Sequence, residues 1–163
     1  FEEDRALEFD GVGDYVFINN TTTFNNWTVC SWIKRKGFEM SYDDVFSTQG
    51  TEWYRIIIRN SDNKIGLYSS GLYSQTTISQ NIWFFVCSSS GVIEGTSISK
   101  IYVNGQLENI KNVNRTISGN FLIGKHPVDA KEYYKGLIDD VRIYNRALSP
   151  SEVKLLYEST KPY

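Results

Sequence analysis

One histidine, two cysteines, three prolines and one methionine are all that 163 residues contain of those types. A zinc site built from His and Cys clusters is excluded by that scarcity, and so is a scaffold stapled by several disulfides. The net charge of −2 leaves no basic excess of the kind that nucleic acid or an anionic membrane surface recruits. No apolar run approaches the ~20 residues of a membrane-spanning helix. A 40% apolar and 22% charged composition belongs to a folded chain, and the length to one domain with a sizeable core, residues 1–163. Eleven Tyr and nine Phe point to β structure. The first residue is Phe1 rather than Met, which reads as a processed chain or a piece of a longer one.

Short apolar runs separated by Gly, Asn, Ser and Asp recur every ten to fifteen residues, the spacing of an antiparallel sandwich rather than of βαβ units. The runs predict strands near 6–9, 15–18, 27–34, 44–47, 53–59, 64–69, 73–78, 83–89, 97–103, 121–123 and 136–144. Asn104-Gly105 is a hairpin turn signal. One helix is expected, at the C-terminus. Ser149-Pro150-Ser151-Glu152 forms a capping box with Pro at the first helical position, and Val153, Leu156 and Tyr157 make an apolar stripe that ends near Glu158.

One hairpin fixes its own register. Residues 53–59 and 64–69 flank the turn Asn60-Ser61-Asp62-Asn63; pairing Arg59 with Lys64 sets Ile57 opposite Gly66 and Arg55 opposite Tyr68. Tyr54, Ile56, Ile58, Ile65 and Leu67 then point to the core. Trp53, Arg55, Arg59, Lys64 and Tyr68 share the other face, half aromatic and half cationic.

Five segments, taken in order, resemble the laminin-G-like (concanavalin A-like) jelly-roll domains: Ala6–Gly11 with Asp14-Tyr15-Val16, Trp27–Ile33, Trp83–Val86, Ile101–Gly105 and Tyr134–Ser149. The resemblance implies an all-β sandwich of two antiparallel sheets with the first strand beside the closing one. It also implies a structural Ca²⁺ where the chain ends meet, with the Asp10-Gly11-Val12-Gly13-Asp14 turn and Asp139 or Asp140 supplying carboxylates. Asp43, Asp44 and Asp129 are further acidic loop positions.

Glucanases of this fold carry a Glu-x-Asp-x-x-Glu strand, whose spacing sets two carboxyl groups across a glycosidic bond. Glu8-Phe9-Asp10 imitates its first half and lacks the second Glu. No Gly-x-Ser-x-Gly elbow is present, and His126 reads as a loop residue. The chain is therefore read as a non-enzyme. Sugars offer apolar C–H faces to aromatic rings and hydroxyl rims to polar side chains. Trp53, Arg55 and Tyr68 suit that role; Tyr42, Tyr73, Tyr133 and Tyr134 lie in or beside loops, and the loops around Tyr42, His126 and Tyr133 are the other place for a ligand. Sequons begin at Asn19, Asn20, Asn26 and Asn114. Cys30 and Cys87 lie among bulky apolar residues and read as buried thiols, a bridge between them being open if their strands are neighbours.

The resulting expectation is a secreted, extracellular or cell-surface recognition module that binds glycan, lectin-like, with calcium holding its loops. The rival is an adhesive or structural module whose partner is an extracellular protein. Neither involves nucleic acid or membrane insertion.

Overall fold

A computed structural model describes residues 5–38, 40–50, 54–113, 115–128 and 131–161. Among the described residues twelve strands and one helix follow in chain order: β1 (Leu7–Asp10), β2 (Val16–Ile18), β3 (Trp27–Arg35), β4 (Tyr42–Thr48), β5 (Arg55–Arg59), β6 (Lys64–Leu67), β7 (Leu72–Thr77), β8 (Trp83–Ile93), β9 (Thr96–Val103), β10 (Gln106–Lys111), β11 (Phe121–Ile123), β12 (Lys135–Tyr144) and α1 (Pro150–Thr160). They form two six-stranded antiparallel sheets. The first runs β1-β12-β3-β8-β9-β10 and the second β2-β11-β4-β5-β6-β7. This is the jelly-roll sandwich expected.

Alternation along each strand builds the core. Trp27, Val29 and Ile33 of β3, Phe84 and Val86 of β8, and Ile101 and Val103 of β9 face inward from the first sheet. They meet Phe46, Tyr54, Ile56, Ile58, Ile65, Leu67 and Phe121 of the second. The intervening residues of the first sheet are apolar too, because α1 covers its outer face. Cys30, Trp32, Phe85, Cys87 and Tyr102 pack there against Leu148 and Val153, with Leu156 and Tyr157 at the margin. The capping box forms as the sequence requires: the Glu152 amide donates to Ser149 Oγ at 3.2 Å, and the Ser149 amide to Glu152 Oε2 at 2.8 Å. The helix runs on past Glu158 to Thr160, whose Oγ1 accepts a hydrogen bond from the Trp32 indole at 3.0 Å.

Two expectations are corrected here. Cys30 and Cys87 are not thiols. β3 and β8 are neighbours, the two residues are direct register partners with Cα atoms 4.1 Å apart, and their sulfurs are bonded. The strand after Asn104-Gly105, β10, is absent from the sequence reading because Gln106–Lys111 is a mostly exposed edge strand with little apolar pattern. The turn that starts it is as expected, with Asn104 and Gly105 both at positive φ. β1 does pair with β12, Leu7 opposite Ile138 and Asp10 opposite Lys135.

Candidate functional site

The hairpin register holds: Ile57 faces Gly66, Arg59 faces Lys64, and the Tyr68 amide donates to the Arg55 carbonyl at 3.1 Å. Arg55, Tyr68 and Tyr42 thus share the outer face of the second sheet. On this face Gly66 is required by close approach, since a Cβ there would lie 2.6 Å from the Tyr73 ring and 2.1 Å from the Leu72 carbonyl oxygen.

Successive residues of β4 send their carboxylates to opposite faces. Asp43 points between the sheets, where Arg35 of β3 donates Nε–H to its Oδ2 at 2.6 Å; Asn60 and Asn63 accept from the rest of that guanidinium. Asp44 points outward and takes Arg55 in a two-pronged pair, Nε to Oδ1 at 2.7 Å and Nη2 to Oδ2 at 2.6 Å. The same Nη2 reaches Glu132 Oε2 at 2.5 Å. Burial pushes the Asp44 carboxyl up to about 7, against the pull of Arg55, and Asp43 up to about 6, against that of Arg35. His126 accepts from the Val128 amide through Nδ1 at 3.0 Å, and its Nε2 lies 3.7 Å from Glu132 Oε2.

Aromatic rings sit on this charged floor. The Arg55 guanidinium lies over the Tyr68 ring, 4.3 Å from its centroid, and 5.5 Å from that of Tyr42. The two rings meet edge to face at 5.3 Å. Arg59, held by both oxygens of Asp62, stacks on Tyr73 at 3.9 Å. Lys125 reaches the rings of Tyr15 at 4.3 Å and Tyr133 at 5.6 Å. Tyr68 is 40% exposed, Tyr42 and Tyr73 half-buried.

The structure puts Arg55 and Tyr68 on one face, as expected, brings Tyr42 and the loop of His126, read as a separate place for a ligand, to the same cluster, and alters their roles. Arg55 is only 3% exposed and is the pedestal under the rings rather than a free contact. Asp44 is not a loop residue but a fully buried strand residue. Tyr133 is buried, and Tyr134 is a core residue packed edge-on to Phe9 at 6.2 Å. Trp53, Asp129 and Asn114 lie outside the described residues. Glu132 was missed: it lies 77 residues from Arg55 in sequence, and only its charge marks it.

Of the four calcium candidates, Asp10 and Asp14 share one turn, Asp14 Oδ2 accepting from the Asp10 amide at 3.1 Å, while Asp139 and Asp140 lie on β12. Asp10 pairs with Lys135, four residues along β12 from Asp139, which separates them by about 13 Å of strand. Asp10 closes its own turn, its Oδ1 accepting from the amides of Val12, Gly13 and Asp14, and these bonds, Gly13 foremost, hold its carboxyl below the usual range. The Lys135 side chain lies against Gly11 of the same turn. Asp139 accepts from the Asp140 amide, and Asp140, at positive φ in a bulge, pairs with Arg142 at 2.8 Å. Among the described residues no three His, Cys, Asp or Glu side chains gather around a point that would hold a metal ion. The Glu8-x-Asp10 pair is likewise occupied, Glu8 by Lys36 at 2.8 Å.

Known proteins share this framework. The heptameric SAP-like pentraxin of Limulus polyphemus superposes with a TM-score of 0.72 at 19% identity, covering 92% of this chain and 80% of that one. Domain 4 of AbnA, a GH43 extracellular arabinanase from Geobacillus stearothermophilus, solved in complex with arabinotriose, gives 0.73 at 21% identity, covering 93% and 76%. The Trypanosoma rangeli sialidase, solved with sialic acid, gives 0.67 at 16% identity, covering 94% of this chain but 27% of the enzyme. No curated protein sequence matches. The family model described as the concanavalin A-like lectin/glucanases superfamily, a laminin-G type, matches residues 10–154. With nearly the whole chain matched and its sandwich in place, this protein belongs to the concanavalin A-like lectin/glucanases superfamily.

Proposed function

We propose that this chain is a non-catalytic recognition module that binds carbohydrate on the outer face of its second sheet. The observation that carries the reading is the Tyr42–Arg55–Tyr68 stack held on the buried Asp44 and the half-buried Glu132. Rings fixed by an ion pair beneath them lose little freedom when a sugar stacks on them, which favours affinity. The arabinotriose complex of a similar domain supports a saccharide ligand. The Cys30–Cys87 bridge supports an oxidising, extracellular setting.

The same cluster argues against hydrolysis. Asp44 and Glu132 grip one nitrogen of Arg55, at 2.6 and 2.5 Å, so their gripping oxygens lie at most about 5 Å apart, near the ~5–5.5 Å spacing that retaining glycosidases use. Yet that guanidinium stands between them, and Asp44 has no exposed surface. An acid and a nucleophile both need to reach the scissile bond. This reading does not require calcium.

A glycan array on the full chain, followed by titration of the best ligand into the parent and Tyr68→Ala, tests the proposal. Tyr68→Ala is expected to bind about fivefold to tenfold more weakly, the ~1 kcal/mol of one aromatic contact. Unchanged affinity in a folded variant removes the site. Failure of every glycan on the array favours the alternative, an extracellular protein partner.

A further inference from the structure

We infer that the ligand of this face, given that the carbohydrate reading holds, is an uncharged saccharide rather than an acidic one such as a sialylated, uronic or sulfated glycan. Arginine recognises a sugar carboxylate or sulfate by offering Nε–H and Nη–H as a planar fork. On both arginines of this face the Nε–Nη2 fork is already filled. Arg55 gives Nε and Nη2 to Asp44 and shares Nη2 with Glu132. Arg59 gives Nε and Nη2 to Asp62, and its flat face to Tyr73. The lysines are engaged as well: Lys64 donates to the Gln75 carbonyl, and Lys125 sits over two tyrosine rings.

An acidic sugar that takes the Nε–Nη2 fork of either arginine must displace a protein carboxylate from it. At Arg55 the displaced group is Asp44, which is fully buried and has no water to turn to, so the exchange leaves its carboxyl without a partner inside the protein. What the face offers without such displacement is ring surface, at Tyr68, Tyr42 and Tyr73. Ring surface takes the C–H faces of neutral sugars.

The test is titration of the full chain with two sets of probes. The neutral set is arabino-, xylo-, manno- and cello-oligosaccharides; the acidic set is sialyllactose, oligogalacturonate and a heparin tetrasaccharide. The expected result is binding within the neutral set that changes less than about twofold between roughly 50 and 500 mM NaCl, with every acidic probe weaker by about tenfold or more. An acidic probe that binds more tightly than all neutral ones, and loses affinity with salt, overturns the inference and leaves carbohydrate binding standing. Silence from both sets removes the carbohydrate reading and the inference with it. Asp62→Asn sharpens the result, because asparagine keeps the acceptor that Asp62 provides to the Lys64 amide while releasing the Arg59 fork. It is expected to raise affinity for oligogalacturonate about threefold or more. An unchanged affinity for that probe shows that filled forks are not what excludes acids, and overturns the argument.

Discussion

The two outer faces of the sandwich are built from the same alternation and end up opposite in character. On the first sheet the outward residues of β3 and β8 are Cys30, Trp32, Phe85 and Cys87, roofed by Val153, Leu156 and Tyr157 of α1. On the second sheet they are Asp44, Arg55, Ile57 and Tyr68, roofed in part by the loop that carries His126 and Glu132. The first face is closed by apolar packing and a disulfide. The second is closed by ion pairs at its floor and leaves rings at its surface. A jelly roll of this size has core enough between its sheets. The helix side adds stability, and the other side is free to carry a site.

Substitutions on the helix side break the comparison most strongly. Removing the disulfide with the Cys30→Ala, Cys87→Ala pair is expected to cost about 4 kcal/mol, the loop-closure value for a separation of 57 residues. Phe85→Ala is expected to cost ~3–5 kcal/mol as a large-to-small change in a packed cluster. Denaturant unfolding of each measures both. A loss under about 1 kcal/mol from either shows that the helix face contributes much less than its packing indicates.

On the other face, Asp44→Ala leaves Arg55 buried with only Glu132 for company, and a loss of ~3–5 kcal/mol is expected in the same unfolding assay. Asp44→Asn is the milder variant and isolates the charge. Asp43 and Asp44 have folded-state values raised, to about 6 and about 7, above an ordinary 3.8. Between pH 4 and 7 the folded chain therefore retains protons that the unfolded chain has released. The stability this contributes is fully present below about 3.8 and is lost as pH rises through 6 to 7. Asp10, Asp62 and Glu152, lowered by hydrogen bonds, contribute in the opposite sense below pH 4. Thermal melting is thus expected to show the highest Tm near pH 4–5, a fall toward pH 8, and a shallower fall in Asp44→Asn. A Tm that climbs from pH 5 to 8 contradicts the assignment.

The sequence disclosed the skeleton of the site but not its electrostatics. The hairpin register was legible because Tyr54, Ile56, Ile58, Ile65 and Leu67 alternate strictly and the turn between them is short. The fate of Arg55 was not, because its partners come from β4 and from Glu132, and strand periodicity is silent about which loop folds over a face. Cys30 and Cys87 were hidden for a related reason. Each strand was recognised, but only the sheet order makes β3 and β8 neighbours. The acidic turn at Asp10 was identified correctly as a turn; its distance from Asp139 depends on the direction and register of β12 against β1.

The claim that one outer face binds and the other supports is tested most directly by mapping a bound saccharide onto the chain. Backbone amide shifts followed by NMR during titration with the best neutral oligosaccharide are predicted to move at Tyr42, Arg55–Arg59, Tyr68 and Tyr73. The amides of Trp32, Phe85 and α1 are predicted to stay still. Shifts concentrated along α1 and the outer face of the first sheet, or at the Asp10–Asp14 turn, would contradict the account.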